Sequence, residues 1–202
     1  MKERVEDLVG RRARIMWVST FHSACVRILR KEITVLEREG LSFRSNFSIY
    51  DAADSKRLMT LVCRDLELDP KRHQPAAVLH WVSNHKNELR DPEEAAKDAR
   101  NGFEEVWATA YAHYQRRLRE ANALDFDDLI MTTVHLFQAF PDVRELYRRR
   151  FRHVLVDEYQ DTNHAQYALI QQLCGRSMEE TDGPEEQPSE LMVVGDADQS
   201  IY

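Results

Sequence analysis

Cysteine is scarce in this 202-residue sequence, and the three present, Cys25, Cys63 and Cys174, lie far apart. That spacing excludes a disulfide framework or a zinc site built on paired cysteines, and it points to a reducing, cytoplasmic setting. No apolar run approaches the roughly 20 residues that a membrane helix needs. The opening stretch MKERVEDLVGRRAR has no apolar signal core, so nothing marks the chain for secretion. Eight histidines form no HExxH or similar ligand pair. Positive charge is in deficit too: 28 Lys and Arg face 35 Asp and Glu, a net charge of −7 that speaks against a general nucleic-acid binder.

What is present can build a core. At 43% hydrophobic and 31% charged residues, the chain has the composition of one or two globular domains. The charge is uneven. Basic clusters occur at RRAR (Arg11 to Arg14), QRRLR (Gln115 to Arg119) and YRRRFR (Tyr147 to Arg152), whereas acids gather in EETDGPEEQPSE (Glu179 to Glu190). A locally basic groove on an acidic protein is one reading of these clusters, and solvated helix faces are the other.

The hydrophobic pattern predicts a helix over residues 1–9, with Val5, Leu8 and Val9 on one side, and a short buried strand over RIMWVS (Arg14 to Ser19). A helix from Phe21 to Glu39 follows, then an extended piece at NFSIYD. Helical segments dominate afterwards. Asp51 can cap one, with Asp54 three residues on. Asp69 and Asp91 each precede a proline at a first helical position. Asp125 can cap FDDLIMTTVHLFQAF, with Asp128 at the capping-box position. FRHVLVD reads as a strand buried on both faces, NHAQYALIQQLC as a helix, and LMVVGD (Leu191 to Asp196) as a second buried strand. The Gly/Pro-bearing acidic stretch between the last two reads as a flexible loop. Strand-and-helix character at both ends and an almost wholly helical middle predict a helical insertion inside an α/β domain. Two successive domains, one helical and one α/β, are the alternative.

In parallel α/β sheets, ligands bind beyond the carboxyl ends of the strands. HVLVDE delivers Asp157 and Glu158 to such a point, and LMVVGD delivers Asp196. One carboxylate there can hold Mg²⁺, and its neighbour can orient and deprotonate a water. Adjacent acids therefore suit hydrolysis of a nucleoside triphosphate. Gln199, just past the second strand end, offers an uncharged amide that could contact a terminal phosphate.

The longer strings carry a resemblance. VDEYQDTN (Val156 to Asn163) resembles the Walker B motif of UvrD/PcrA/Rep-type superfamily 1 DNA helicases, and VVGDADQSIY (Val193 to Tyr202) resembles their motif III. STFHSACVRILR (Ser19 to Arg30) is similar to their DNA-contacting motif after the second strand, and LDFDDLI (Leu124 to Ile130) to another of their segments. The four stand in the family's order and spacing, so the resemblance covers nearly the whole chain.

It implies an α/β fold: a partial RecA-like P-loop NTPase domain, residues 1–22 with 149–202, and a large all-helical insertion, residues 23–148. It implies ATP and Mg²⁺ as cofactors, with Asp157 on the metal and Glu158 activating the water. Gln160 would sit near the nucleotide and the coupling machinery, and Gln199 would sense the γ-phosphate. Thr20 and His22 would contact single-stranded DNA, and Tyr202 would begin an aromatic segment that stacks on bases in a sequence-tolerant way. The implied partners are single-stranded DNA, junctions of single and double strands, and the remainder of a helicase chain. The implied parent activity is ATP-driven 3′-to-5′ translocation and unwinding, in DNA repair or replication.

Plainer readings stand beside these. Thr20 can simply cap the following helix, and His22 can be a structural histidine. Asp125, Asp127 and Asp128 could be a metal cluster, but their spacing favours capping. Tyr159 and Phe126 read as packing residues, and Trp17, Trp81 and Trp107 receive no role. The chain also departs from the family. None of its six glycines is followed by lysine, so no G-x-x-x-x-G-K-[ST] loop is present to cradle phosphates. The expectation is an inner piece of a helicase that by itself does not hydrolyse ATP efficiently. The competing expectations are a non-catalytic single-strand-binding module, an inactive gene remnant, and a metal nuclease using Asp157, Glu158 and Asp161.

Overall fold

The computed structural model describes residues 2–175 and 189–196. The predicted Gln199 and Tyr202 and most of the acidic loop lie outside them. Among the described residues the helices are α1 (Lys2–Val9), α2 (Phe21–Glu32), α3 (Ala52–Asp65), α4 (Pro75–Asn87), α5 (Pro92–Lys97), α6 (Gly102–Glu120), α7 (Phe126–Ala139), α8 (Pro141–Arg150) and α9 (His164–Cys174). The strands are β1 (Ser48–Tyr50), β2 (Ala123–Asp125), β3 (His153–Val156) and β4 (Glu190–Val193). They form two parallel pairs, β1 with β2 and β3 with β4. Parallel neighbours need a crossover connection. The crossover from β3 to β4 runs through α9.

Helix starts follow the predicted chemistry. Asp51, Asp91 and Asp125 each accept from the backbone N–H three residues on, while Asp54, Glu94 and Asp128 reach back to close capping boxes. Asn163 and Gln166 form a fourth box that the sequence reading did not pick out. Helix ends are less conventional, because glycine is rare. α3, α4 and α6 terminate on Glu67, Leu89 and Asn122, all left-handed with φ of 54°, 58° and 48°. At α4, Leu89 N–H bonds the carbonyl of Lys86 and Arg90 N–H bonds that of His85, a complete Schellman closure built without glycine.

Four expectations fail, each for a local reason. Residues 14–19 are not a strand. Ile15 and Met16 donate to the carbonyls of Arg12 and Ala13 in a 3₁₀ turn over Gly10–Arg14, and Ile15 is 84% exposed. The helix from Phe21 stops as α-helix at Glu32 and tightens into a 3₁₀ segment, Ile33–Glu39, closed by left-handed Gly40. Asp69 caps only a turn, its carboxylate accepting from Lys71 N–H. Pro75 holds Gln74 extended (φ −63°, ψ 126°), so the next helix starts there instead. Finally, β3 and β4 are not buried on both faces. Leu155 is 71% exposed and its register partner Met192 is 58% exposed, because no described layer covers that side of the sheet.

Two hydrophobic cores result. One joins α2, the 3₁₀ segment, α7, α8 and α9. The other joins α3, α4, α5 and α6. Strand β2 divides them by its period of two: Ala123 faces the second core and Leu124 the first. Between them lies a buried polar knot. The Lys86 ammonium sits 2.7 Å from Asp125 and 2.8 Å from Asp128. The Tyr114 hydroxyl donates to Asp125 at 2.9 Å, and the Gln115 amide donates to Asp128 at 2.9 Å.

Candidate nucleotide and nucleic-acid site

At the carboxyl end of β3 the chain turns sharply, with Glu158 left-handed (φ 50°, ψ 44°). A non-glycine residue held there marks a site whose conformation is imposed by its surroundings. The surroundings are visible. Glu158 N–H donates to Asp157 Oδ1 at 3.1 Å. Gln160 Nε2 donates to Glu158 Oε2 at 2.7 Å, and Gln160 Oε1 accepts from Asp196 N–H at 3.2 Å. Tyr159 N–H donates to the Val194 carbonyl, and Val194 N–H to the Val156 carbonyl. The two strand ends are thus laced together, with Gln160 bridging from Glu158 to the end of β4. Gly195 allows the close approach: a Cβ there would come within 2.6 Å of Gln160 Oε1.

Asp157 and Glu158 are both exposed, on the rim of a cleft of about 640 Å³. Thr20, Phe21 and His22 also line it, as do Trp17 and Phe151. The structure therefore brings four of the predicted site residues, Thr20, His22, Asp157 and Glu158, to one cleft, with Gln160 braced against Glu158. Thr20 also does the plainer job, accepting from Ser23 N–H at 3.3 Å as the cap of α2. His22 stacks edge-on against Phe126, centroids 5.8 Å apart. Among the described residues no group of three or more His, Cys, Asp or Glu side chains converges on a metal position. Mg²⁺ in nucleotide sites is ordinarily held by one or two carboxylates, with phosphates and waters supplying the rest. A single Asp157 beside Glu158 fits that pattern.

The other candidates resolve simply. Asp125 and Asp128 are caps paired to an ammonium, not a metal cluster. Burial would lower the Lys86 pKa, but the two carboxylates reverse that and hold it well above its usual value. Burial alone lifts the Asp125 carboxyl, and Lys86 with the hydrogen bonds to the charged form brings it below its usual value. Burial and the Asp125 charge push Asp128 up to about 6. One ammonium neutralises one carboxylate fully, so the second is left protonatable. Part of each basic cluster is spent locally: Arg14 pairs with Glu6, Arg116 with Glu120, Arg117 with Asp65 and Arg149 with Glu145. An exception is Arg150, which with Arg27 flanks the Trp17 ring, the guanidiniums 5.2 and 4.1 Å from its centroid. Sequence reading gave Trp17 no role and missed Lys86 and Asn87. Only a lysine inside an otherwise apolar helix face hinted at them.

Adjacent acids at the end of a parallel strand, within a helix-rich α/β chain, are compatible with a helicase N-terminal domain. A sequence profile of the UvrD/REP helicase N-terminal domain matches residues 1–202, and the chain belongs to that family. It is 58% identical over 205 residues to the ATP-dependent DNA helicase UvrD1 of Mycobacterium tuberculosis (strain ATCC 25618 / H37Rv), covering all of this chain and 26% of that protein. The UvrD1 of Mycobacterium leprae (strain TN) is 54% identical over 207 residues, with the same coverage. The ATP-dependent DNA helicase PcrA of Bacillus subtilis (strain 168) is 47% identical over 202 residues, all of this chain and 25% of PcrA. The chain thus spans about a quarter of the length of these relatives.

Proposed function

We propose that this chain is part of the RecA-like motor of an ATP-driven DNA helicase that moves 3′ to 5′ along single-stranded DNA and opens duplexes at junctions, in repair or replication. The division into a motor part, residues 1–22 with 149–202, and an inserted helical part, residues 23–148, belongs to the same proposal, as does a cytoplasmic location. Among the described residues no helix is long and apolar enough to cross a membrane.

The observation that carries the reading is the laced turn at Asp157 and Glu158, opening on the cleft that Thr20 and His22 share. Mg²⁺ bound with ATP supplies charge neutralisation for the phosphates. Asp157, its Oδ1 oriented by the Glu158 N–H, would hold that ion. Glu158 accepts the proton of the attacking water. The Gln160 amide donates to the Glu158 carboxylate and so sets its direction. Gln199 senses the γ-phosphate, and Thr20, His22 and Tyr202 contact the DNA strand. The family membership and the helicase activity named for the relatives support this reading.

The test is Mg²⁺-dependent ATPase of the full-length protein with and without single-stranded DNA. Glu158→Gln is expected to lower kcat by about 10²–10⁴-fold, the usual contribution of a general base, while nucleotide binding persists. Unchanged turnover in Glu158→Gln would remove that carboxylate from the mechanism. The 202-residue chain alone is expected not to hydrolyse ATP efficiently. Turnover by that chain that disappears in Glu158→Gln contradicts this.

A further inference from the structure

The last turn of α4 grips both sides of the molecule with consecutive residues. Lys86, fully buried, holds Asp125 and Asp128 at the start of α7. Asn87, the next residue, accepts through Oδ1 from Asn163 Nδ2 at 2.7 Å. Asn163 is the cap of α9 and ends the loop that begins at Glu158. Its Oδ1 is committed to Gln166 N–H at 2.9 Å, so the amide nitrogen alone is free to reach α4. Serine, threonine or aspartate would also cap α9, but an ionised aspartate has no proton to donate across the gap. On the far side, Phe126, the first residue of α7, meets the His22 ring. A short run of contacts therefore links His22 to the loop after Glu158: Phe126, Asp125, Lys86, Asn87, Asn163. Its middle is stiff, because the Schellman closure at Leu89 fixes the end of α4 and the buried ion pairs fix Lys86.

We propose that Asn87 is a positioning residue that couples the DNA-contacting side of the cleft to the nucleotide-hydrolysing loop through its hydrogen bond to Asn163. The inference rests on the helicase reading and deepens it. DNA against Thr20 and His22 bears on Phe126 and the start of α7. The buried ion pairs carry that displacement to α4, and Asn87 passes it to the segment carrying Glu158 and Gln160. Without the Asn87–Asn163 bond the loop keeps its own lacing to β4, so hydrolysis persists but no longer responds to DNA.

The experiment uses the full-length protein, with an oligothymidylate as the single-stranded probe, and compares kcat and the KM for ATP with and without it. Asn87→Ala is expected to leave basal kcat and KM within roughly twofold and to cut the DNA stimulation of kcat by about fivefold, the coupling that one neutral hydrogen bond supplies. Asn87→Asp keeps the acceptor and is expected to restore stimulation, an effect that general destabilisation does not produce. Asn163→Ser keeps the α9 cap but its hydroxyl is too short to reach Asn87, and it is expected to lose stimulation equally. The double variant Asn87→Ala with Asn163→Ser is expected to lose no more than either alone. Stimulation within twofold of normal in Asn87→Ala, or additive losses in the double variant, overturns the proposal. Should Asn87→Ala lose basal turnover through misfolding, Asn163→Ser decides, and normal stimulation there overturns it. Absence of any DNA-stimulated turnover in the unmodified protein instead overturns the helicase reading, and this inference with it.

Discussion

Asp128 carries the sharpest conflict among the buried side chains. It is needed as the second half of a capping box, it shares one ammonium with Asp125, and it is fully enclosed. Burial and the Asp125 charge raise its pKa to about 6, and Lys86 only partly opposes them. A carboxyl whose folded pKa exceeds its unfolded value binds the proton more tightly when folded. Its contribution to stability is complete below the unfolded pKa near 4 and is lost as pH rises through about 6. Asp128→Asn cannot ionise, yet its amide oxygen can still cap. Relative to the unmodified chain, the variant should gain on the order of 2 kcal/mol of stability between pH 4 and 7. Urea unfolding across that range reads it, and a flat difference would sink the idea. Asp125 has the opposite sign, its lowered pKa giving stability that is lost as pH falls, and it is present in both proteins. The capping roles of Asp125 and Asp128 were legible in the sequence as spacing. Their partner was not, because Lys86 lies 39 residues upstream of Asp125 and only packing of α4 against α7 brings them together.

At the level of elements, starts and stops obey different logic here. Starts are written locally, by an acid or amide three residues before a Glu, Asp or Gln, and the sequence signals them reliably at Asp51, Asp91 and Asp125. A different signal, an acid directly before a proline, misled at Asp69, where the proline at 75 set the true start. Stops are harder to read, since three helices close on left-handed Glu67, Leu89 and Asn122 where glycine is customary. Tertiary contacts hold Leu89 and Asn122 in place: Leu89 packs on the first core, and the Asn122 side chain accepts from Arg44 N–H. Glu67 is exposed, and among the described residues its side chain makes no such contact. Glu67→Gly should therefore relieve backbone strain and raise stability by about 0.5–1 kcal/mol, net of the entropy glycine adds to the unfolded chain. That corresponds to roughly 1–4 °C in Tm for a chain of this size, and a lower Tm would show that Glu67 is held by something other than tolerance of strain.

At the level of the whole molecule, the outer face of the β3–β4 pair is the conspicuous feature. Parallel strands are ordinarily covered on both sides, yet Leu155 and Met192 lie side by side in the open, with His153 and Glu190 paired beyond them. An uncovered apolar face of this kind drives association. The 202-residue chain should self-associate at micromolar concentration, and Met192→Lys should shift it towards monomer by light scattering or sedimentation. Equal association in both would clear the sheet of responsibility. This face is also where the sequence was most misleading. The runs HVLVD and LMVVGD have the composition of strands buried on both sides, and composition reports what a strand is suited to, not what covers it. What the sequence by itself determined is whatever acts over a few residues: the helix caps, the acids at the strand end, the family strings. Those follow from steric limits and hydrogen bonds within one or two turns of chain. Only the tertiary structure decided what requires distant segments to meet: the lacing of Glu158 through Gln160 to β4, the shared cleft with Thr20 and His22, the buried Lys86 knot and the Asn87–Asn163 bond. Each of those depends on the packing of apolar faces, which is non-directional and leaves no spacing in the sequence to read.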